Sequence, residues 1–529
     1  MHSDLKPLEF QAIQRVLQRL TATPYGRDAA AALEPAPSHA VAQRMQNAVS
    51  AAVARTEAQR PLKLDGLPDI RAALRQAAAP GAALAPTALF NIKCTLTAAD
   101  ALRPELRETP ALYPGSCDDL APPPELLDAL GRTVQGAGSL RPDASAELAR
   151  LAGARDGLRA DVERIILQRA KDKDLAGVVV EPDKVAWNGE RAVLALRADG
   201  AGKVKGVRRG TAMGGRDVLI EPLEAVQLNN RLETVVGQVT AEQQRVLREV
   251  TAEVARFGDA LQRLVDALTW LDLAQAGGEM SRQLNAHAPR LSEEPEVRLD
   301  RAYHPLLLLQ FGEKQGPRPV PLTLELDRER RLVLITGPNA GGKTVAMKTV
   351  GLLTAMARCG LHIPAEGDCV IGRYDRLIVD IGDHQSLFHH LSTFAGHVEM
   401  LKRVLDQTSG DSLVLLDELG TGTDPEEGAA LAMAMLDELL QRPIQGIVNT
   451  HLAPLKEYAV DRAGISNASM RFDHDRLAPT FELQIGVPGR SLGLIVAEAR
   501  GLPSPIVARA RDHLARIQAA SGGDEPQRS

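Results

Sequence analysis

The sequence predicts a multidomain chain, α in its first part and mixed α/β in its last, with a small antiparallel sheet set between two long helices. Three observations carry that expectation. Apolar residues recur at helical spacing near the start and again in two long stretches, a Val-rich patch broken by Asn-Gly and Gly-Gly separates those stretches, and from Arg331 onward short apolar runs alternate with helical segments. The first pattern marks helices with one apolar face, the second marks strands joined by turns, and the third marks a largely parallel sheet covered on both faces.

At 529 residues the chain is too long for one core, given roughly 150 residues per domain. Helical spacing runs from Leu8 to Leu33 and from Ser38 to Arg60, and the Ala- and Pro-rich stretch between Pro80 and Pro142 breaks into short helices. Residues 1–143 therefore read as a helical core domain. In residues 144–290 a long amphipathic helix is expected from Ala144 to Ala170, along Leu148, Leu151, Leu158, Val162 and Ile166. A small β-rich region follows, about 176–222, with turn signals at Asn188-Gly189, Asp199-Gly200 and Gly214-Gly215. No proline lies between Pro222 and Pro289, while Val246, Val250, Val254, Phe257, Leu261, Leu264 and Leu268 step by threes and fours. That predicts one helix about 60 to 70 Å long at ~1.5 Å per residue. The two long helices bracket the sheet and would hold it at their far tip. Residues 291–515 form the α/β domain on the strands "RLVLIT", "RLIVDI", "SLVLLDE" and "QGIVNT", and 516–529 read as a disordered tail.

Lys+Arg of 62 against Asp+Glu of 68 gives a net charge of -6, which argues against a basic coat and confines any polyanion contact to a region. From Glu190 to Asp217 the small sheet is locally basic, and Lys203, Lys205, Arg208 and Arg209 sit beside glycines. They are the candidate DNA-binding residues. With Trp187 as the one aromatic nearby, contact by backbone and shape is expected rather than base stacking or sequence reading. The four cysteines show neither C-x-x-C pairing nor metal-ligand spacing, the N-terminus lacks an apolar signal core, and no run approaches the ~20 apolar residues that span a bilayer. A cytoplasmic, nucleoid-associated location without a membrane partner is expected.

Gly337 to Thr344, "GPNAGGKT", fits G-x-x-x-x-G-K-[ST] between a strand and a helix. Backbone N–H groups of Gly337, Asn339, Ala340, Gly341 and Gly342, with Pro338 as part of the same turn, would wrap phosphates that a side chain at the glycines would block. Lys343 would reach the β/γ-phosphates of ATP and Thr344 would bind Mg²⁺. Downstream, "SLVLLDELGTGTDPEEG" ends a buried strand at Asp417, a Mg²⁺ support, and Glu418, placed to polarise the attacking water. His451, after "GIVNT", stands where a γ-phosphate sensor would. Ser392, in "SLFHHLSTFAGHVEML", reads either as a helix N-cap or as a contact to a nucleotide held by a second subunit.

Taken in order, "TGPNAGGKT", "LSTFAGHVEML", "LLDELGTGTDPEEGAALA" and "NTHLAPLKEYA" resemble the phosphate loop, signature, Walker B and switch-histidine motifs of the MutS family of ABC-type ATPases. "LEFQAIQRVLQRL", "GLPDI", "VLIEPLEAVQLNNRLE", "RAYHPLL", "GLHIPAEG" and "DIGDHQS" are similar to the second bacterial MutS lineage, so the resemblance runs from roughly Leu8 to Ala515. It implies an ABC-type P-loop ATPase domain, a homodimer with two composite ATP sites, lever helices ending in a DNA clamp, and Ser392 as a contact in trans. "QIGVPGRSLGL", around Arg490 and Ser491, resembles the family's inter-subunit element. The family's expected role is binding branched or distorted DNA and restraining homologous recombination.

The chain departs from the pattern in three places. It begins in what resembles the core domain, without the mismatch-reading domain, and ends without the Smr nuclease domain, so neither mismatch recognition nor endonuclease activity is expected of it. It also reads Asp383-His384 where the lineage usually reads Asp-Glu. Two alternatives keep the fold: a ribosome- or rRNA-binding ATPase acting on collided ribosomes, and a mismatch-repair MutS-like protein. A chromosome-tethering ATPase would carry its coil between the two nucleotide motifs, whereas both long helices here precede Lys343. A transporter subunit would leave the levers and the basic sheet unexplained.

Overall fold

The computed structural model describes residues 2–3, 5–136, 138–211, 217–314, 318–337, 342–382, 393–408, 410–460, 462–473, 478–489, 493–499 and 501–521. The chain packs as two compact units, each drawn from segments distant in sequence. One comprises Met1–Asp65, Pro104–Ser116 and Leu268–Ser529, and the other Gly66–Arg103 and Cys117–Ala267.

The first unit is built on a seven-stranded sheet in the spatial order His2–Ser3, Arg376–Asp380, Ser412–Leu416, Ile444–Thr450, Leu332–Thr336, Ile465–Asp473, Ala478–Ile485. All neighbours pair parallel except the last two. The expected strands are all present, and Leu332–Thr336, Ser412–Leu416 and Ile444–Thr450 are buried at every residue. Burial on both faces follows from period-2 side chains. Leu332 and Leu334 enter one core with Val414, Leu416, Leu436 and Val448, while Val333 and Ile335 enter the other with Met347, Val350 and Leu413.

That second core also takes in the start of the chain. Leu8, Phe10, Ile13 and Leu17 are at most 1% exposed and belong to it. Each such side chain contributes roughly 1.5–3 kcal/mol on burial. The contact is close: a Cβ on Gly351 of the helix Lys343–Arg358 would lie 2.7 Å from Leu8 Cδ2. Lys348 of the same helix pairs with Glu9 at 2.7 Å.

In the second unit, the helix Ala146–Ala170 forms within the span that its stripe predicts, with Leu148, Leu151, Val162 and Ile166 buried. Val162 and Ile166 share a core with Ala225 and Leu232 of the helix Leu223–Arg256, whereas Leu148 and Leu151 meet Val239. The two helices therefore run antiparallel. A four-stranded antiparallel sheet, in the order Ala186–Asn188, Arg191–Arg197, Asp217–Pro222, Gly206–Thr211, completes the core at the end near Ile166 and Ala225.

Three expectations need correction. The single helix after Pro222 is two, Leu223–Arg256 and Gly258–Leu284, broken at Phe257. Gly258 lowers the helical preference there, yet Phe257 N–H still reaches Glu253 O and Leu261 N–H reaches Phe257 O, so the apolar spacing carries across. Asp199-Gly200 is not a tight hairpin turn but part of a 3₁₀ segment, Ala198–Lys203, because the bare Gly200 packs on Val178. The helix Ser504–Ser521 runs past residue 516, the expected start of the tail, since Ala-rich "LARIQAAS" sustains it. Gly214-Gly215 and Asp383-His384 lie outside the described residues. Among the described residues no helix is long and apolar enough to cross a membrane.

Candidate nucleotide-binding site

Three adjacent parallel strands end side by side at the edge where open α/β sheets bind ligands. Their carboxyl ends deliver Asp417 and Glu418, then Asn449 to His451, then Gly337. Gly337 has φ 130° and Gly342, capping the helix Lys343–Arg358, has φ 95°. Both values suit glycine and little else, which is why the motif needs those residues. Pro338, Asn339, Ala340 and Gly341 lie outside the described residues, as do Ser392, Arg490 and Ser491.

Lys343 is 2% exposed, and its ammonium donates to the carbonyls of Gly337 and, at 3.3 Å, Thr450. Burial pushes that ammonium below its ordinary pKa, opposed by the charges of Asp417 and Glu418. Thr344 Oγ1 donates to Asp417 Oδ2 at 2.8 Å, and Asn449 Nδ2 donates to Asp417 Oδ1 at 3.0 Å. Asn449 is fully buried, and its own Oδ1 has no hydrogen-bond partner among the described residues. An orphaned buried acceptor costs roughly 1–3 kcal/mol, so this one invites a donor such as a metal-bound water. The desolvated ammonium likewise calls for anions. Hydroxyl and carboxylate oxygens suit Mg²⁺, and the residues present therefore fit a phosphate chain with that ion.

Glu418 is exposed and has φ 55°, a left-handed conformation that costs a side-chain-bearing residue about 1–2 kcal/mol. Its neighbours hold it there, because Asp417 N–H bonds Asp380 O at 2.9 Å and Leu419 N–H bonds Asn449 O at 3.0 Å. The strained link turns Glu418 out of the strand direction. His451 is exposed immediately after the strand Ile444–Thr450. Beside Gly342 opens a cavity of about 470 Å³, walled largely by apolar side chains including Val345, Ala346, Met470 and Phe481. His304 also lines it, with Nδ1 buried and unpartnered among the described residues.

The structure thus brings together Gly337, Gly342, Lys343, Thr344, Asp417, Glu418 and His451. Sequence reading missed Asn449, although a polar residue inside the buried run "QGIVNT" is a signal. It also left Gly489 unremarked, whose N–H donates to Thr336 Oγ1 at 2.8 Å and ties "QIGVPGRSLGL" to the phosphate-loop strand.

In the other unit, Lys203, Lys205 and Arg208 are exposed, the last on the edge strand Gly206–Thr211. Arg209 is exposed as well, but its guanidinium is paired with the fully buried Glu221 at 2.6 Å. Arg191 pairs with the same carboxylate at 2.9 Å. Trp187 carries the Arg159 guanidinium over its ring at 4.3 Å, so that face is covered.

The phosphate turn, Asp417, Glu418 and His451 all fall within residues 333–518, the stretch that matches a known family domain. The chain carries a MutS domain V. Around domain V the likeness extends along nearly the whole chain. A protein named Endonuclease MutS2 from Thermus thermophilus is 37% identical over 510 residues, 96% of this chain and 66% of that protein. Namesakes from a Geobacillus species and from Symbiobacterium thermophilum are 34% identical over 521 residues and 36% over 522. The chain spans 64 to 66% of the length of these curated relatives.

Proposed function

We propose that the chain is a MutS2-type ATPase that, as a homodimer, couples ATP and Mg²⁺ binding to the grip on branched or distorted DNA and so restrains homologous recombination. The arrangement of Lys343, Thr344, Asp417 and Asn449 at the sheet edge carries this reading. Lys343 offers a desolvated ammonium to phosphate oxygens. Thr344 and Asp417 hold the metal, which supplies the charge that offsets the negative charge of the phosphates. Glu418, turned out of the strand, orients the attacking water and accepts its proton, while His451 faces the terminal phosphate. The apolar cavity beside Gly342 receives the base. Ser392 of the partner subunit closes the site, and Lys203, Lys205 and Arg208 meet DNA phosphates. Nuclease activity forms no part of the proposal.

Glu418→Gln tests the chemistry. ATP binding should persist while turnover falls about 10²- to 10⁴-fold; hydrolysis at the parent rate would remove Glu418 from this role. Glu418→Gly should also lose turnover, but the relieved backbone should offset glycine's extra entropy and leave the denaturation midpoint unchanged or higher. A clear loss of stability would refute the strain argument.

Competition among a four-way junction, plain duplex, mismatched duplex and ribosomes, at one salt concentration with and without ATP, tests the ligand. Junction preference altered by ATP is expected; ribosome binding that outcompetes all DNA would move the target to translation. Replacing Lys203, Lys205 and Arg208 with Ala should reduce the slope of log affinity against log salt by about 2.7 if each meets one duplex phosphate. An unchanged slope would place the DNA contact elsewhere.

A further inference from the structure

The helix Lys343–Arg358 ends, about 24 Å from its start at ~1.5 Å per residue, in a second cavity. It measures about 400 Å³, and its lining includes Ser38, His39, Ala40, Glu293, Arg358 and Arg373. Arg358 is only 2% exposed, yet its Nε and Nη1 are buried without a hydrogen-bond partner among the described residues. A buried guanidinium in that state is costly, and such groups are ordinarily paired.

The acidic groups at hand leave it unmatched. Asp375 is engaged by Arg373 at 3.2 Å, and Glu293, with 65% of its side chain exposed, stands 4.0 Å from His39. Among the described residues neither forms an ion pair with Arg358. Burial, and then the charge of Arg373, press the Arg358 guanidinium below its ordinary pKa, while Glu293 and Asp375 oppose the shift. The same cavity meets the N-terminus of the 19-residue helix His39–Glu57, which is capped by Ser38 and carries no acidic side chain in its first turn. Free N–H groups and the positive end of a helix favour anions. His39 Nδ1 is a further buried atom without a partner among the described residues. Ala36 N–H bonds Arg358 O at 2.9 Å, fixing the start of that helix against the arginine.

We propose that this cavity is a second anion site, separate from the nucleotide site, that takes a small oxyanion of the phosphate class between Arg358, Arg373 and the N-terminus of the helix His39–Glu57. The ligand is small because a guanidinium 2% exposed lies out of reach of a polymer backbone.

The test is calorimetric titration of inorganic phosphate into the full chain saturated with a non-hydrolysable ATP analogue, with binding of that analogue measured separately. The parent should bind phosphate, and Arg358→Met should weaken that binding roughly 10- to 100-fold with analogue affinity unchanged. Ala40→Glu, which supplies a tethered carboxylate in the first helical turn, should abolish phosphate binding and raise the Tm measured without phosphate. Should Arg358→Met fail to fold, Arg373→Ala and Ala40→Glu carry the comparison. Equal phosphate affinity in the parent and in every folded variant would overturn the proposal, as would absence of binding to the parent. Displacement of the phosphate by duplex DNA would also overturn it, by assigning the site to backbone phosphates. Loss of analogue binding in the parent would count against the nucleotide proposal alone.

Discussion

Lys343→Ala is expected to remove ATP binding at working concentrations while leaving the protein without nucleotide at least as stable as the parent. The two halves of that result have one cause. Lys343 is 2% exposed, and among the described residues its ammonium donates to the carbonyls of Gly337 and Thr450. Its burial is a cost without ligand and an asset with it. Truncating one member of a buried charged pair costs about 2–5 kcal/mol, roughly 30- to 5,000-fold in Kd. In thermal unfolding the parent should gain about 2.7 kcal/mol with ATP at 100 times its Kd, and the variant nearly nothing. A variant destabilised without nucleotide would show that Lys343 serves the fold; one still stabilised by ATP would place the phosphates elsewhere.

Glu221→Ala should be the most damaging single change in the small sheet. Glu221 is fully buried and accepts from Arg191 at 2.9 Å, Arg209 at 2.6 Å and Asn229 at 2.8 Å. Asn229 in turn holds Ala192 through both its N–H and its carbonyl, so the carboxylate ties two strands to the helix Leu223–Arg256. Removing one partner from a buried ionic network typically costs about 3–5 kcal/mol; here the lower end is expected, because Arg191 keeps Glu233 at 2.6 Å and Arg209 is partly exposed. Hydrogen exchange across residues 186–222 reads this locally, and a change under about 1 kcal/mol would mean that the arginines find other partners. Glu221→Gln keeps the shape and part of the bonding, so its loss should be smaller.

That network also explains what the sequence hides. "RLVLIT" and "SLVLLDE" are legible because every residue in the strand is buried, and "GPNAGGKT" because its glycines answer a backbone need. Arg209 and Glu221 are 12 positions apart, and only the register of two paired strands, with its irregularity between Arg208 and Gly210, makes them partners. A count of local charge therefore treats Arg209 as free. The break at Phe257 is concealed for the opposite reason, since the hydrogen bonds on either side preserve the helical spacing of the apolar residues. Asn449 takes its meaning from Asp417, just past the end of the neighbouring strand, to which it donates at 3.0 Å.

The sharing of one core by Leu8, Phe10, Ile13 and Leu17 with strands that begin at Leu332 has a consequence during synthesis. At roughly 5–20 residues per second, the first helix emerges from the ribosome about 20 to 90 s before the strand ending at Thr450. Through that interval its apolar stripe has only earlier partners such as Ala30, Met45 and Val49, and lacks the strands that complete its cover. The intervening unit, with its own core of Val162, Ile166, Leu194 and Leu232, is complete long before. Biogenesis therefore closes the chain last to first, and an amino-terminal lesion such as Leu8→Asp should be felt chiefly as lost yield of folded protein.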